Sequence, residues 1–289
     1  MNDRYELLIL IHRLVGYPTA FLVAPAALLA FARPALHRRW GKVYLCALIF
    51  LYLTGTFLTF AGHDWTSWDF ARNVVFNFFG FSMVLYGWRA IHLFRQVGQP
   101  RPARLDWALA GILAVSVVGL LVVAAVRDTP MRLFALIGIT FCVLEFRELR
   151  DGFQPKSVLF RRHTRFILAS YFYVLTVVSI VHLGDELPRN LKWIWPSLLG
   201  ALVIGATGTA ARRLPQPRGK ILRFAVGLTL VVTALYAGYV AYDLSRGAPV
   251  VGQGMAEANR SRSVQHKVAA PHPAPNDSDR SDQVVQRPK

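Results

Sequence analysis

WALAGILAVSVVGLLVVAAV, residues 107–126, is an apolar run without a single charged side chain. At about 1.5 Å per residue, a helix of that length crosses the ~30 Å hydrocarbon layer of a bilayer. Working outward, comparable blocks recur at residues 6–31, 40–62, 73–94, 131–146, 166–184, 193–211 and 221–244. The reading is an all-α polytopic membrane bundle of about eight helices. The block at 131–146 is the weakest, being short and running into Glu145, Arg147, Glu148, Arg150 and Asp151. The first block resembles a signal peptide only in Ala30 and Ala32. It lacks a basic leader, is interrupted by His12 and Arg13, and is too long for a signal core.

Composition agrees. Of 289 residues, 54% are hydrophobic and 17% charged, and the mean hydropathy is positive, too apolar for one soluble core and its shell. A net charge of +17 would point to nucleic acid if the basic residues formed one stripe. They fall instead in alternate loops: Arg33, Arg38, Arg39 and Lys42; Arg95, Arg101 and Arg104; Arg147 to Arg165; Arg212 to Arg223. By the positive-inside rule those loops are cytoplasmic, which sets both termini outside a bacterial inner membrane. The partner implied is the lipid bilayer, not nucleic acid. Trp65, Trp68, Trp193 and Trp195 are expected as an outer aromatic belt, with Trp40 and Trp107 inside.

Cys46 and Cys142 lie within apolar blocks without pairing or CxxC spacing, and read as packing residues. Residues 1–245 are taken as the membrane domain. Residues 246–289, rich in Gly, Pro, Ser, Asn, Asp and Arg, are read as a disordered polar tail. No HExxH, GxxxxGK[ST], GxSxG or CxxCH occurs, so zinc protease, nucleotide hydrolase, serine hydrolase and c-type haem readings lack support. Whether the chain is an enzyme is left open.

Two four-helix halves show a parallel pattern. Leu36-His37-Arg38-Arg39 and Arg161-Arg162-His163 each open a tyrosine-bearing helix, with Tyr44 and Tyr52 in one and Tyr171 and Tyr173 in the other. Those helices end at His63 and His182, followed by Asp64 or by Asp185 and Glu186. Parallel repeats would set a shared site between the halves; basic loops and interfacial tyrosines common to membrane helices explain the same pattern.

Topology sorts the histidines into an inner group, His37, His92 and His163, and an outer group, His12, His63 and His182. Two histidines from different helices can ligate a haem iron axially, and sites near both faces would carry electrons across the bilayer. His37 and His163, then His63 and His182, are the candidate ligands of a haem b. Against this, the 19 residues from His163 to His182 span about 28 Å of helix. Both therefore sit near the headgroups, where a hydrated histidine is ordinary.

His12 and Arg13 lie inside an apolar block, where charge needs a partner or water; Asp64, Asp69, Asp185 and Glu186 are candidates to pair with Arg13. Glu145 would serve as a proton carrier if it faced the bundle, or form an ion pair with Arg147 or Arg162. His12, Arg13 and Glu145 thus mark a possible proton or ion path, with Pro18 and Pro25 as kinks in the first helix. Asn73, Asn77, Ser170 and Tyr171 are candidates for bonds between helices. Gly200, Ala201, Gly205 and Gly208 allow close helix approach.

His37-Arg38-Arg39-Trp40-Gly41-Lys42-Val43-Tyr44, with Thr54-Gly55 beyond it, and the stretch from His163 to Tyr171 resemble the two elements of an uncharacterised bacterial family of predicted membrane proteins. Its pattern is HRxxGxxY before one helix and an HRRWMxRSY-like element before a later one. With Trp193-Ile194-Trp195-Pro196, the resemblance spans residues 33–206. Phe166 and Ile167 stand where that family has Trp and Met, and Ala169 where it has Arg. The resemblance implies the fold and topology above, lends no activity, and favours His37 and His163 as the inner pair. Three functions follow: haem-b or quinone-linked electron transfer with a redox partner, small-molecule or proton-coupled transport, and a non-catalytic scaffold or sensor whose tail meets a partner.

Overall fold

The computed structural model of the chain describes residues 3–30, 33–62, 65–95, 101–126, 129–152, 157–183, 188–212 and 218–245. His63, Asp64, Asp185, Glu186 and the expected tail, 246–289, lie outside them. The chain divides into two units, Met1–Tyr242 and Asp243–Lys289. The first unit is described below; of the second, only residues 243–245 are described.

Among the described residues every regular element is a helix. α1 (Asp3–Pro18), a π-helical turn (Thr19–Val23) and α2 (Ala24–Leu29) form the first rod; α3 (Pro34–Gly62), α4 (Trp68–Phe94), α5 (Arg104–Val126), α6 (Thr129–Arg150), α7 (Ser157–His182), α8 (Arg189–Arg212) and α9 (Arg218–Ser245) are the other seven. Six of the eight rods are long and apolar enough to cross a membrane, the build of a multi-pass membrane protein. α6 and α8 fall short of that measure. α6 ends in a charged turn, and the apolar part of α8 is the shorter stretch Leu191–Gly205.

The expected helix starts are late where basic residues lead. α7 begins at Ser157 rather than 166, and α3 at Pro34 rather than 40. Arg, Leu and Ala favour helix, so the backbone continues through a basic turn that hydropathy alone reads as loop. The C-terminus of α6 is closed by Gly152, at φ +71°, where the left-handed turn suits glycine.

α4 and α7 form the centre, antiparallel to each other, with α3, α5 and α8 around them. Close approach is built in at Gly80: a Cβ there would come 2.7 Å from the Tyr173 ring and the Tyr52 hydroxyl. At Gly200 it would meet the Phe172 ring at the same distance. The four-helix halves pack differently, since α1 and α2 lie along α3 whereas α6 lies along α5.

Two tryptophans depart from the expected belt. Trp193 is 6% exposed, packed edge-on to Phe76 and lying under the Arg72 guanidinium. Trp195 donates its indole N–H to Ser179 Oγ at 2.7 Å. Both face the aromatic interior between α4, α7 and α9, where the rings bury more area than at a headgroup boundary. Trp65, Trp68 and Trp107 are exposed, as anchors are.

Candidate functional site

The starts of α3, α5 and α7 meet the ends of α2, α4 and α6 at one end of the bundle, called here the basic end. His37 lies on the first turns of α3, and its Nδ1 is 2.8 Å from the Ala27 carbonyl of α2. The last carbonyls of a helix have no intrahelical donor, so a ring N–H from the next helix is a natural partner. His163 lies on the second turn of α7, with Nδ1 2.8 Å from the Gly87 carbonyl of α4. Gly87 permits that approach: a Cβ on it would run into Ile167, one turn further along α7. Arg95, which caps the end of α4, belongs to the same end of the bundle. In each neutral ring the Nδ1 proton faces a carbonyl, which leaves the lone pair on Nε2. The third histidine of this end, His92, is exposed and stacks on Trp88.

Beside the pair is a buried ion lattice that sequence reasoning captured only at Glu145 and Arg162. Arg89 of α4 donates Nε and Nη2 to Asp106 of α5 at 3.0 and 2.9 Å. Asp106 also accepts the Ala103 N–H at 2.8 Å, capping the helix it opens. Arg162 of α7 donates to both oxygens of Glu145 on α6, Nε at 3.1 Å. Arg165 bonds Glu145 at 3.0 Å and both oxygens of Glu148. Arg162 Nη1 lies 3.9 Å from Asp106, so the two hairpins are joined.

Asp106, Glu145 and Arg162 are fully buried, and Arg162 lies over the Tyr86 ring. Three cations and three anions leave the lattice neutral, the condition under which buried charge is tolerated. Glu145 does face the bundle, as a proton carrier must, yet two guanidiniums hold it. A sequence signal existed: Arg89–Asp106, Arg162–Glu145 and Arg165–Glu148 each close one loop across 17 residues.

Toward the opposite end most bonds between helices join hydroxyls, amides and rings. His12 donates Nδ1–H to Thr54 Oγ1 at 2.6 Å, since the Thr54 proton goes to the Phe50 carbonyl. The His12 ring also lies beside Gly55, which adjoins Asn77. The Tyr173 hydroxyl donates to Asn77 Oδ1 at 3.3 Å, which joins α4 and α7 as expected of Asn77. Tyr44 pairs with Ser170 at 3.3 Å. Tyr171 lies between the Thr233 hydroxyl and the Ala20 carbonyl, 3.3 Å from the latter.

That carbonyl is open for a physical reason. In the π-turn the Ala24 N–H bonds back to Thr19, and Pro25 has no N–H to offer Ala20. The expected proline kink is therefore a π-turn that presents a carbonyl to α7. His182, at the end of α7, has its Nε2 2.6 Å from the Tyr17 hydroxyl. Arg13 is half-buried. Of its expected partners, Asp69 pairs with Arg72 at 3.0 Å, one turn away on its own helix; Asp64, Asp185 and Glu186 lie outside the described residues, as does His63.

The structure thus places His37 and His163 at the basic end, each on a backbone carbonyl of a neighbouring helix, and holds Glu145 in the lattice of the same end. His12 and His182 are placed separately on the other side of the molecule's polar interior. Comparison with protein-family models, with curated proteins and with solved structures found no match, so the family resemblance rests on its two motifs alone.

Proposed function

We propose that the chain is a membrane electron-transfer protein that holds a b-type haem at its basic end between His37 and His163. The observation that carries this reading is that two histidines on different helices at one end of the bundle each have Nδ1 on a backbone carbonyl. Histidines that ligate a metal are held in this way, with the ring oriented by the nitrogen that does not bind. His37 on α3 and His163 on α7 would hold the group, and the cationic Arg95 at the end of α4 would suit its propionates. A haem there supplies a one-electron ferric–ferrous couple. The chain's own part is to fix both rings, exclude lipid from the site, and offer a membrane-embedded redox partner such as a quinone a route along α4 and α7. His182, with Nε2 on Tyr17, is the weaker ligand candidate.

The test is a reduced-minus-oxidised visible spectrum of full-length protein purified in detergent from cells supplied with a haem precursor. A sharp b-type band is expected, lost in His37→Ala and in His163→Ala and retained in His12→Ala. A featureless spectrum in protein that elutes as one folded species removes the reading.

A second reading, proton-coupled transport of a small molecule, is favoured by one observation: the chain of neutral polar groups from His12 and Thr54 past Asn77 to Tyr173, beside the π-turn. In that reading His12 takes up the proton and Arg13 attracts the solute, while Glu145 stays locked by arginine. Proteoliposomes that acidify under an imposed gradient, and lose that ability with His12→Ala, would support it. Unchanged acidification in that variant would count against it.

A further inference from the structure

An open groove of about 670 Å³ runs between α5 and α6 on the outside of the bundle. It falls in the size range of small-molecule sites, roughly 300–1,000 Å³. Its walls are apolar, including Val118, Leu121, Val143 and Phe146, all exposed. At its basic end stand Arg147 and Arg150, 71% and 78% exposed, sharing the one carboxylate of Asp151 at 3.8 and 3.2 Å. Two cations and one anion leave a single positive charge at the mouth.

Depth identifies the occupant. Ile139 and Arg150, the outermost lining residues of α6, are about 17 Å apart along the helix. One leaflet with its headgroups is roughly 20–22 Å deep, half of the ~40–45 Å bilayer. The groove therefore covers most of the depth of one leaflet, apolar where the acyl chains lie and cationic where the headgroup lies. We propose that it is a binding site for one anionic phospholipid, with the phosphate between Arg147 and Arg150 and the chains along α5 and α6.

A neutral headgroup would gain nothing from the unbalanced charge, whereas one net cation near an anionic headgroup gives a preference of about fivefold. The site is independent of the haem reading, and its failure would leave that reading untouched. Trp107 reports on it, since its ring lies 6.4 Å from that of Phe146 in the wall.

The experiment reconstitutes full-length protein in phosphatidylcholine vesicles containing either brominated phosphatidylglycerol or brominated phosphatidylcholine, and reads the fluorescence quenching that disappears in Trp107→Phe. Stronger quenching by the brominated phosphatidylglycerol is expected, at about a fivefold lower fraction of lipid, with the preference lost in Arg147→Gln/Arg150→Gln. Val143→Trp in the Trp107→Phe background adds a second reporter within the wall; its preferential quenching by the anionic lipid is the expected result. Equal quenching by the two lipids overturns the proposal, as does a preference that survives loss of both arginines.

Discussion

The two ends of the bundle solve the problem of polarity inside a membrane in opposite ways. At the basic end Arg89, Arg162 and Arg165 are locked to Asp106, Glu145 and Glu148 in a lattice that ties α4, α5, α6 and α7 together. At the other end, helices are joined by single bonds such as Trp195 to Ser179 and Tyr17 to His182, and the ion pair of Arg72 with Asp69 stays within one helix, with its carboxylate exposed. The difference teaches where loss of one side chain is expensive. A buried charge without its partner has neither water nor a counter-ion, whereas a lost neutral bond leaves a hydroxyl or indole that lipid-exposed chains readily re-partner.

The largest effect is therefore expected for Glu145→Gln, which takes from the fully buried Arg162 the carboxylate it grips with two nitrogens and leaves Arg165 with Glu148 alone: a loss of about 3–5 kcal/mol in denaturant titrations of detergent-solubilised protein. If it unfolds no more easily than the parent, the lattice is ornamental and the comparison fails. Removing both members of a pair sharpens the point, because Arg89→Met/Asp106→Leu should cost less than the two single changes added together.

Next comes packing at the centre, where Gly80→Ala drives a methyl against Tyr173 and Tyr52. An overpacking loss of roughly 1–3 kcal/mol is expected, read as a lower thermal midpoint. A midpoint equal to the parent's would show that α4 and α7 can separate at little cost.

At the neutral end Trp195→Phe removes one bond between helices, worth on average about 0.6 kcal/mol within a membrane. A loss comparable to that of Glu145→Gln would erase the contrast between the ends. Smallest of all is Asp69→Asn, which breaks a pair whose carboxylate is 60% exposed; it should change stability by less than about 1 kcal/mol, measured in the same titration.

Much of the fold was legible because the bilayer imposes a length rule on each segment separately. The block at 107–126 announces a spanning helix without knowledge of any neighbour, and all eight expected rods are present. The candidate site was legible only in part. Glu145 and Arg162 are named by sequence as a possible pair, but Arg89, Asp106 and Arg165 were not singled out. An Arg at a helix end reads as an interfacial residue until a carboxylate from the next helix is found beside it. Trp193 was misplaced for the same reason, since an indole near a helix start suits a headgroup belt equally well until Phe76 and Arg72 close over it.

The sequence by itself determined the helices, their number and the segregation of basic residues into alternate loops, because hydropathy and charge are properties of single segments. Only the tertiary structure decided that His37 and His163 each rest on a carbonyl of a neighbouring helix, that Glu145 is clamped rather than free, and that Pro25 opens a carbonyl to Tyr171. Each of those depends on which face of one helix meets which face of another, a relation set by packing across the whole bundle and encoded in no single stretch of the chain.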